Sequence, residues 1–173
     1  MAFEILIIIL FFIIFIFFCL PLFLGGAPYL PSYKKSSTDE KYLNELFEFL
    51  EKYRSKNNKF IDLGSGDGRI VIEFAKRNYE SYGVEINPFL VLISKLKIKK
   101  NNLKNAKIIW AYFYNLDLSQ FDIIYFFHYR LANKFLTKKL LKQLNNKIII
   151  SAHFPLKNFP LKKSINGFYI YFI

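Results

Sequence analysis

Cysteine, histidine and arginine are scarce in this chain, and each scarcity excludes something. The single cysteine, Cys19, lies within an apolar run, so no intrachain disulfide or thiolate metal site can form. The two histidines, His128 and His153, stand 25 positions apart and neither belongs to an HxxxH or HExxH spacing, so no metal is expected. Acidic residues are few, 13 against 25 basic ones, which leaves a net charge of +12. Such an excess would suit nucleic acid or anionic lipid. Only four of the basic residues are arginine, however, and arginine is the better fork for phosphate. The joint abundance of Lys, Asn, Ile, Phe and Tyr fits compositional drift more simply. Nucleic acid is therefore not expected as a partner, and attraction to an anionic membrane face is a by-product. No internal repeat with a period of 20 to 50 residues is present.

What the chain does have is a charge-free stretch, "ILIIILFFIIFIFFCLPLFL", from Ile5 to Leu24. Its 20 residues would span about 30 Å as a helix, the thickness of a bilayer's hydrocarbon core. A cleaved signal peptide would carry a basic start and a shorter apolar core, and cleavage after Ala27 would set Pro28 beside the cut. Residues 1–24 are thus read as a single-pass transmembrane anchor, with the lipid bilayer as partner of residues 5–24. All basic residues follow the run, starting at Lys34 and Lys35, which places the rest of the chain on the cytoplasmic side. "GGAPYLPSYKKSS" (25–37) reads as a linker, and 38–173 as one domain.

Ser37 and Glu40 have capping-box spacing and open a helix to about Tyr53, with Leu43, Leu46, Phe47, Leu50 and Tyr53 as its apolar stripe. Strands and helices then alternate. Strands are expected at 59–63, 81–86, 106–113, 121–127 and 147–154, and helices at 68–78, 88–101 and 131–144. Asn87 caps the second of these helices and Pro88 starts it. The tail suggests a hairpin turned at Asn166–Gly167. This alternation predicts an α/β, Rossmann-like fold: a mostly parallel twisted sheet, helices on both faces, and a C-terminal antiparallel hairpin. The basic run 95–107 reads as the solvated end of a helix and its loop.

The chemistry concentrates in "FIDLGSGDGRI" (60–70). In such sheets ligands bind beyond the carboxyl ends of the strands, so the turn after the first strand is the expected site. A P-loop would require GK[ST], but Gly68 is followed by Arg69 and Ile70; a dinucleotide turn would require GxGxxG, but position 69 is Arg. Asp62 and Asp67 would repel a pyrophosphate. They would favour the sulfonium and ammonium of S-adenosylmethionine, whose carboxylate suits free N–H groups at a helix start. Glu85 ends the second strand, placed to accept both hydroxyls of a ribose. The expected cofactor is S-adenosylmethionine.

These motifs, with "GVEINP" (83–88) and "PYLPS" (28–32) after an apolar span, resemble the membrane-anchored protein-lysine methyltransferases of the class I, seven-strand type. That family includes the mitochondrial enzymes acting on the adenine nucleotide translocase and on the c subunit of the ATP synthase. The resemblance implies cofactor contacts from Tyr29, Pro31 and Ser32, from Asp62, Gly64, Ser65, Gly66, Asp67, Gly68 and Arg69, and from Glu85, Ile86 and Asn87. A late pattern matches Ser151, Phe154, Pro155 and Leu156. After the third strand the family has a small polar or acidic residue and then Phe-Trp. This chain has Tyr112 and Phe113, which implies aromatic stacking on the adenine.

The implied activity is methyl transfer to a lysine of a membrane protein. The donor is already activated, so alignment and water exclusion suffice and no acid–base triad is required. A lysine acceptor must first lose a proton; His128, Tyr129 and His153 are the candidate acceptors for it. A lipid, quinone or other small membrane-soluble acceptor is the alternative, as is a non-catalytic cofactor-binding membrane protein. The (D/N)PP(Y/W) motif of nucleic-acid amino-methylating enzymes is missing after the fourth strand.

Overall fold

The computed structural model describes residues 4–13, 40–53, 58–127, 146–157 and 159–173. The chain divides into two compact units, Met1–Lys34 and Lys35–Ile173, the boundary falling inside the stretch read as a linker. In the first unit, residues 4–13 form a helix (α1) whose side chains from Ile5 to Ile13 are all exposed. No helix among the described residues is long and apolar enough to cross a membrane; the second half of the apolar run, from 14 on, lies outside them.

The second unit opens with α2 (Glu40–Glu51) and continues with β1 (Lys59–Leu63), α3 (Arg69–Lys76), β2 (Glu80–Glu85), α4 (Pro88–Lys100) and β3 (Ala106–Trp110). A single 3-10 turn (Phe113–Asn115) precedes β4 (Ile123–Phe126), β5 (Ile148–Ala152), β6 (Leu161–Ile165) and β7 (Phe168–Phe172). The seven strands form one sheet in the order β3-β2-β1-β4-β5-β7-β6. Pairings among β1 to β5 are parallel, and β7 enters antiparallel between β5 and β6. The strand order switches direction between β1 and β4, so the carboxyl end of β1, where the glycine turn begins, borders the crevice where such sheets bind ligands.

One face of the sheet carries Phe60, Ile123, Tyr125, Ile150 and Ile170 beneath α2, α3 and α4. Leu43, Leu46, Phe47 and Leu50 of α2 are buried there, as their spacing requires. Phe74 of α3 stacks on Phe60, with ring centroids 3.6 Å apart, and meets Phe47 edge-on at 4.7 Å. The other face carries Ile61, Leu63, Ile124, Phe126 and Ile149. Among the described residues it is covered by loop side chains, notably Leu118, Phe121, Leu156 and Phe159, rather than by a helix. The helix expected at 131–144 lies outside the described residues.

Several expected boundaries move; the fifth strand, for example, ends at Ala152 rather than 154. Tyr53 falls beyond the end of α2 and is exposed, its ring edge-on to Phe172 instead of in the helix stripe. The third strand stops at Trp110 rather than 113: the Ala111 N–H donates to the Glu85 carbonyl, and the chain then turns into the 3-10 helix. Asn87 caps α4 as expected, its Oδ1 accepting from the N–H groups of Phe89 and Leu90. The hairpin turns at Asn166–Gly167 with φ of 45° and 89°, the two positive angles of a type I′ turn.

Candidate functional site: a glycine turn between two carboxylates

The turn from Gly64 to Gly68 hangs from β2. The Val84 carbonyl accepts the N–H of Gly64 at 2.8 Å and that of Ser65 at 3.0 Å. Gly66 and Gly68 have φ of 55° and 77°, the left-handed region that a Cβ disfavours. They face different surroundings. A Cβ on Gly66 would meet nothing within 4 Å, so this backbone looks onto open space, whereas one on Gly68 would strike Ser94 Cβ at 2.9 Å.

Three contacts that sequence reasoning missed hold this turn in place. Ser94 of α4 has its hydroxyl within donating reach of the Gly66 carbonyl at 2.8 Å and of the Leu90 carbonyl at 2.7 Å. Gly83 of β2 is bare because Ser65 Oγ and Cβ would lie 2.6 and 2.7 Å from any Cβ there. Lys97 reaches from α4 to Asp67, Nζ to Oδ2, at 2.7 Å. Serine inside a helix and lysine in a basic run look like surface residues, and only the turn of α4 brings them here.

Asp67 is consequently spoken for. Its other oxygen accepts from Arg69 Nε at 3.0 Å. Burial raises the Asp67 carboxyl, but the Lys97 hydrogen bond and the charges of Arg69 and Lys97 outweigh this and hold it below the usual carboxylate range. Asp67 therefore fastens the turn to α4. Asp62 and Glu85 have no such ion pair among the described residues.

Those two carboxylates differ. Asp62 is buried, no described residue donates a hydrogen bond to it, and burial, then Glu85, then Asp67, push its carboxyl well above the ordinary range. Glu85 is buried too but tied to backbone: Oε2 accepts the Gly66 N–H at 2.8 Å, and Oε1 accepts those of Ile86 and Asn87, both at 2.9 Å. With about two acceptor directions per oxygen, Oε1 is filled and Oε2 keeps one. In this geometry Glu85 can take one further hydroxyl, not the two that the sequence suggested. An unsatisfied buried carboxylate, a second with one open acceptor, and a bare backbone between them fit a ligand with hydroxyl and cationic groups, as S-adenosylmethionine has.

Around the turn, Ile86 is exposed and its carbonyl accepts the Trp110 indole N–H at 2.9 Å. Tyr112 is exposed and Phe113 half-buried; their rings cluster with Tyr114 on the 3-10 turn rather than on the strand. His153 follows the end of β5 with φ of 66°, donates its N–H to the Gly167 carbonyl at 2.7 Å and meets the Phe127 ring edge-on. Burial lowers its imidazole's affinity for a proton. Ser151 donates to the Phe154 carbonyl at 2.5 Å, closing the same corner. Tyr29, Pro31, Ser32, His128 and Tyr129 lie outside the described residues.

Sheet order, antiparallel β7 and a glycine turn flanked by strand-end carboxylates define the Rossmann-like methyltransferase class. The overlay agrees: an RNA methyltransferase from Salinibacter ruber, solved with S-adenosyl-L-homocysteine, superposes with a TM-score of 0.66 at 22% identity, covering 78% of this chain and 90% of that one. The family described as "ANTKMT methyltransferase domain" matches residues 62–163, and the chain belongs to it. A "Protein-lysine N-methyltransferase" of Saccharolobus islandicus is 30% identical, over 80% of this chain and 84% of that protein. A Caenorhabditis elegans protein, named as the lysine N-methyltransferase of the ATP synthase c subunit, is 32% identical over 59% of this chain and 54% of its own length. The chain thus spans about half the length of the latter relative.

Proposed function

We propose that the chain is an S-adenosylmethionine-dependent methyltransferase acting on a lysine side chain of a protein, tethered to a membrane by residues 5–24 with the catalytic domain on the cytoplasmic side. The observation that carries the cofactor is the buried, unpaired Asp62 carboxylate beside Gly66, whose backbone faces open space. Asp62 and the open acceptor on Glu85 Oε2 would hold the cofactor's cationic and hydroxyl groups, and Ile86 would border its ring. When bound, S-adenosylmethionine supplies a methyl group already activated by a sulfonium. The protein's own residues then have three tasks: to orient, to exclude water and to deal with one proton.

The lysine acceptor is supported by the names of the relatives in the family. An acceptor lysine, with an ordinary pKa of about 10.4, must reach the site without its proton. His153 stands at the carboxyl end of β5, and burial keeps it neutral near pH 7, the form able to accept a proton. The tether is supported by the composition of residues 5–24 and by α1, whose apolar side chains are exposed.

Methyl transfer from tritiated S-adenosylmethionine to membrane and soluble fractions of the source cell tests the whole reading, with Asp62→Asn as control. The expected result is a labelled membrane protein that disappears in the control, its label recovered in methyl-lysine. Label extracted into organic solvent would move the acceptor to a lipid or quinone. Cofactor binding without transfer to any fraction would end the enzyme reading.

A further inference from the structure

Helix α4 carries two apolar stripes. One, containing Val91 and Ile98, is buried against the sheet. The other, Phe89, Leu92, Ile93 and Leu96, repeats the i, i+3, i+4, i+7 spacing on the opposite side and is exposed, Leu92 by 57% and Leu96 by 58%. A surface helix turns polar residues outward, so a row of bulky apolar side chains marks a face that something covers. On its flank a groove of about 400 Å³ runs between α4 and the edge strand β3, lined by Ile98, Ala106, Ile108 and Ile109 together with Lys95, Lys99 and Lys107. Trp110 continues the β3 wall and is 66% exposed.

Charge says what the cover is. Between Glu85 and Asp117 the chain has six lysines and neither an acidic residue nor an arginine. Lys97 is committed to Asp67; Lys95, Lys99 and Lys100 on the same helix and Lys104 in the loop after it are exposed, whereas Lys107 reaches over the Tyr82 ring on the other face of the sheet. We propose that this face docks on the surface of an anionic lipid bilayer, with the apolar row at the acyl boundary, the lysines among the headgroups, and Trp110 and Tyr112 at interfacial depth. A second copy of the chain would set lysines against lysines. Nucleic acid would call for arginine forks and stacking rings where the row is mainly aliphatic. Because Ile86 and Trp110 adjoin Glu85, docking keeps the carboxyl ends of β2 and β3, and the site with them, beside the bilayer. The inference does not rest on residues 5–24.

Trp110 is the only tryptophan in the chain and serves as the probe. The full chain is mixed with phosphatidylcholine vesicles, with and without phosphatidylglycerol, whose acyl chains are brominated, and Trp110 fluorescence is read. Quenching is expected only with phosphatidylglycerol and is weakened by salt. It is lost in Leu92→Gln/Leu96→Gln. In Lys95→Gln/Lys99→Gln/Lys100→Gln partitioning through this face falls by about fivefold per lysine. Circular dichroism should stay unchanged in both variants, since every substituted side chain is exposed. Protein bound to vesicles with Trp110 unquenched overturns the proposal and leaves the N-terminal tether standing. Salt-sensitive quenching without salt-resistant attachment supports the proposal and removes the tether. Quenching indifferent to both variants, or a concentration-dependent Trp110 shift without vesicles, overturns it in favour of another surface or of a second copy.

Discussion

Two aspartates on neighbouring strands are treated in opposite ways. Where β1 and β4 begin, Asp122 Oδ2 accepts the Lys59 N–H at 2.8 Å and the Asp122 N–H donates to the Lys59 carbonyl, so the charge is absorbed into the pairing of the two strands. Three residues further along β1, Asp62 is more deeply buried and receives no such donor. Its partners across the sheet, Gly83 and Tyr125, offer it none. One end of the sheet is finished by its own chain; the other is the end at which the proposed cofactor would bind. Burying a carboxyl that no described residue pairs with is costly, and on the proposed reading that cost is offset when the cofactor binds.

The comparison can be broken by experiment, starting from the largest expected effect. Glu85→Ala strands three backbone N–H groups and should cost about 3 kcal/mol or more of stability as well as cofactor affinity, measured by urea unfolding and calorimetric titration. Asp62→Asn should weaken cofactor binding roughly tenfold to a hundredfold while making the ligand-free protein more stable. The sign follows from the raised carboxyl. A group whose proton is held more tightly in the fold contributes stability that is present below its unfolded pKa and is lost as pH rises through the folded one. Thermal scans at rising pH should therefore show the natural chain losing stability that the Asn variant keeps.

Gly83→Ala should cost about 1–3 kcal/mol by pressing on Ser65, and Ser65→Gly on the same chain should restore part of it. Asp122→Ala should cost about 1 kcal/mol and leave cofactor affinity unchanged, the reverse of Asp62. Lys97→Met, which removes a bridge that is more than a third exposed on the lysine side, should cost about 0.5 kcal/mol. Asp67 is held low, so its contribution is present above the ordinary carboxylate pKa and fades as pH falls through the folded value; this should happen in the natural chain but not in the Lys97 variant.

Local signals were legible in the sequence, and contacts made across elements were not. The Asn87 cap, Pro88, the Asn166–Gly167 turn and the strand ending at Leu63 each declare themselves within a few residues. Ser94, Lys97 and Gly83 acquire meaning only when α4 and β2 close on the turn, since a serine, a lysine and a glycine each have many commoner uses. The doubled stripe of α4 was hidden for a different reason. Apolar residues on both sides of a helix cancel the asymmetry by which a buried face is recognised, whereas the lysines of 95–107 are solvated as expected. The pairing of Asp67 with Lys97 was not legible because a motif shows that a carboxylate is present and not which cation lies beside it.

The place of β7 has a consequence for how the chain is made. It lies between β5 and β6 although it follows both in sequence, and β6 pairs with nothing else among the described residues. During synthesis β5 therefore emerges with an open edge and β6 with no neighbour, until β7 arrives to pair with both. The parallel core can form early, but the sheet cannot close until Phe168–Phe172 has left the ribosome. A chain stalled just short of that point would present the Ile148–Ala152 edge, an apolar template for pairing with other chains, to the cell's chaperones.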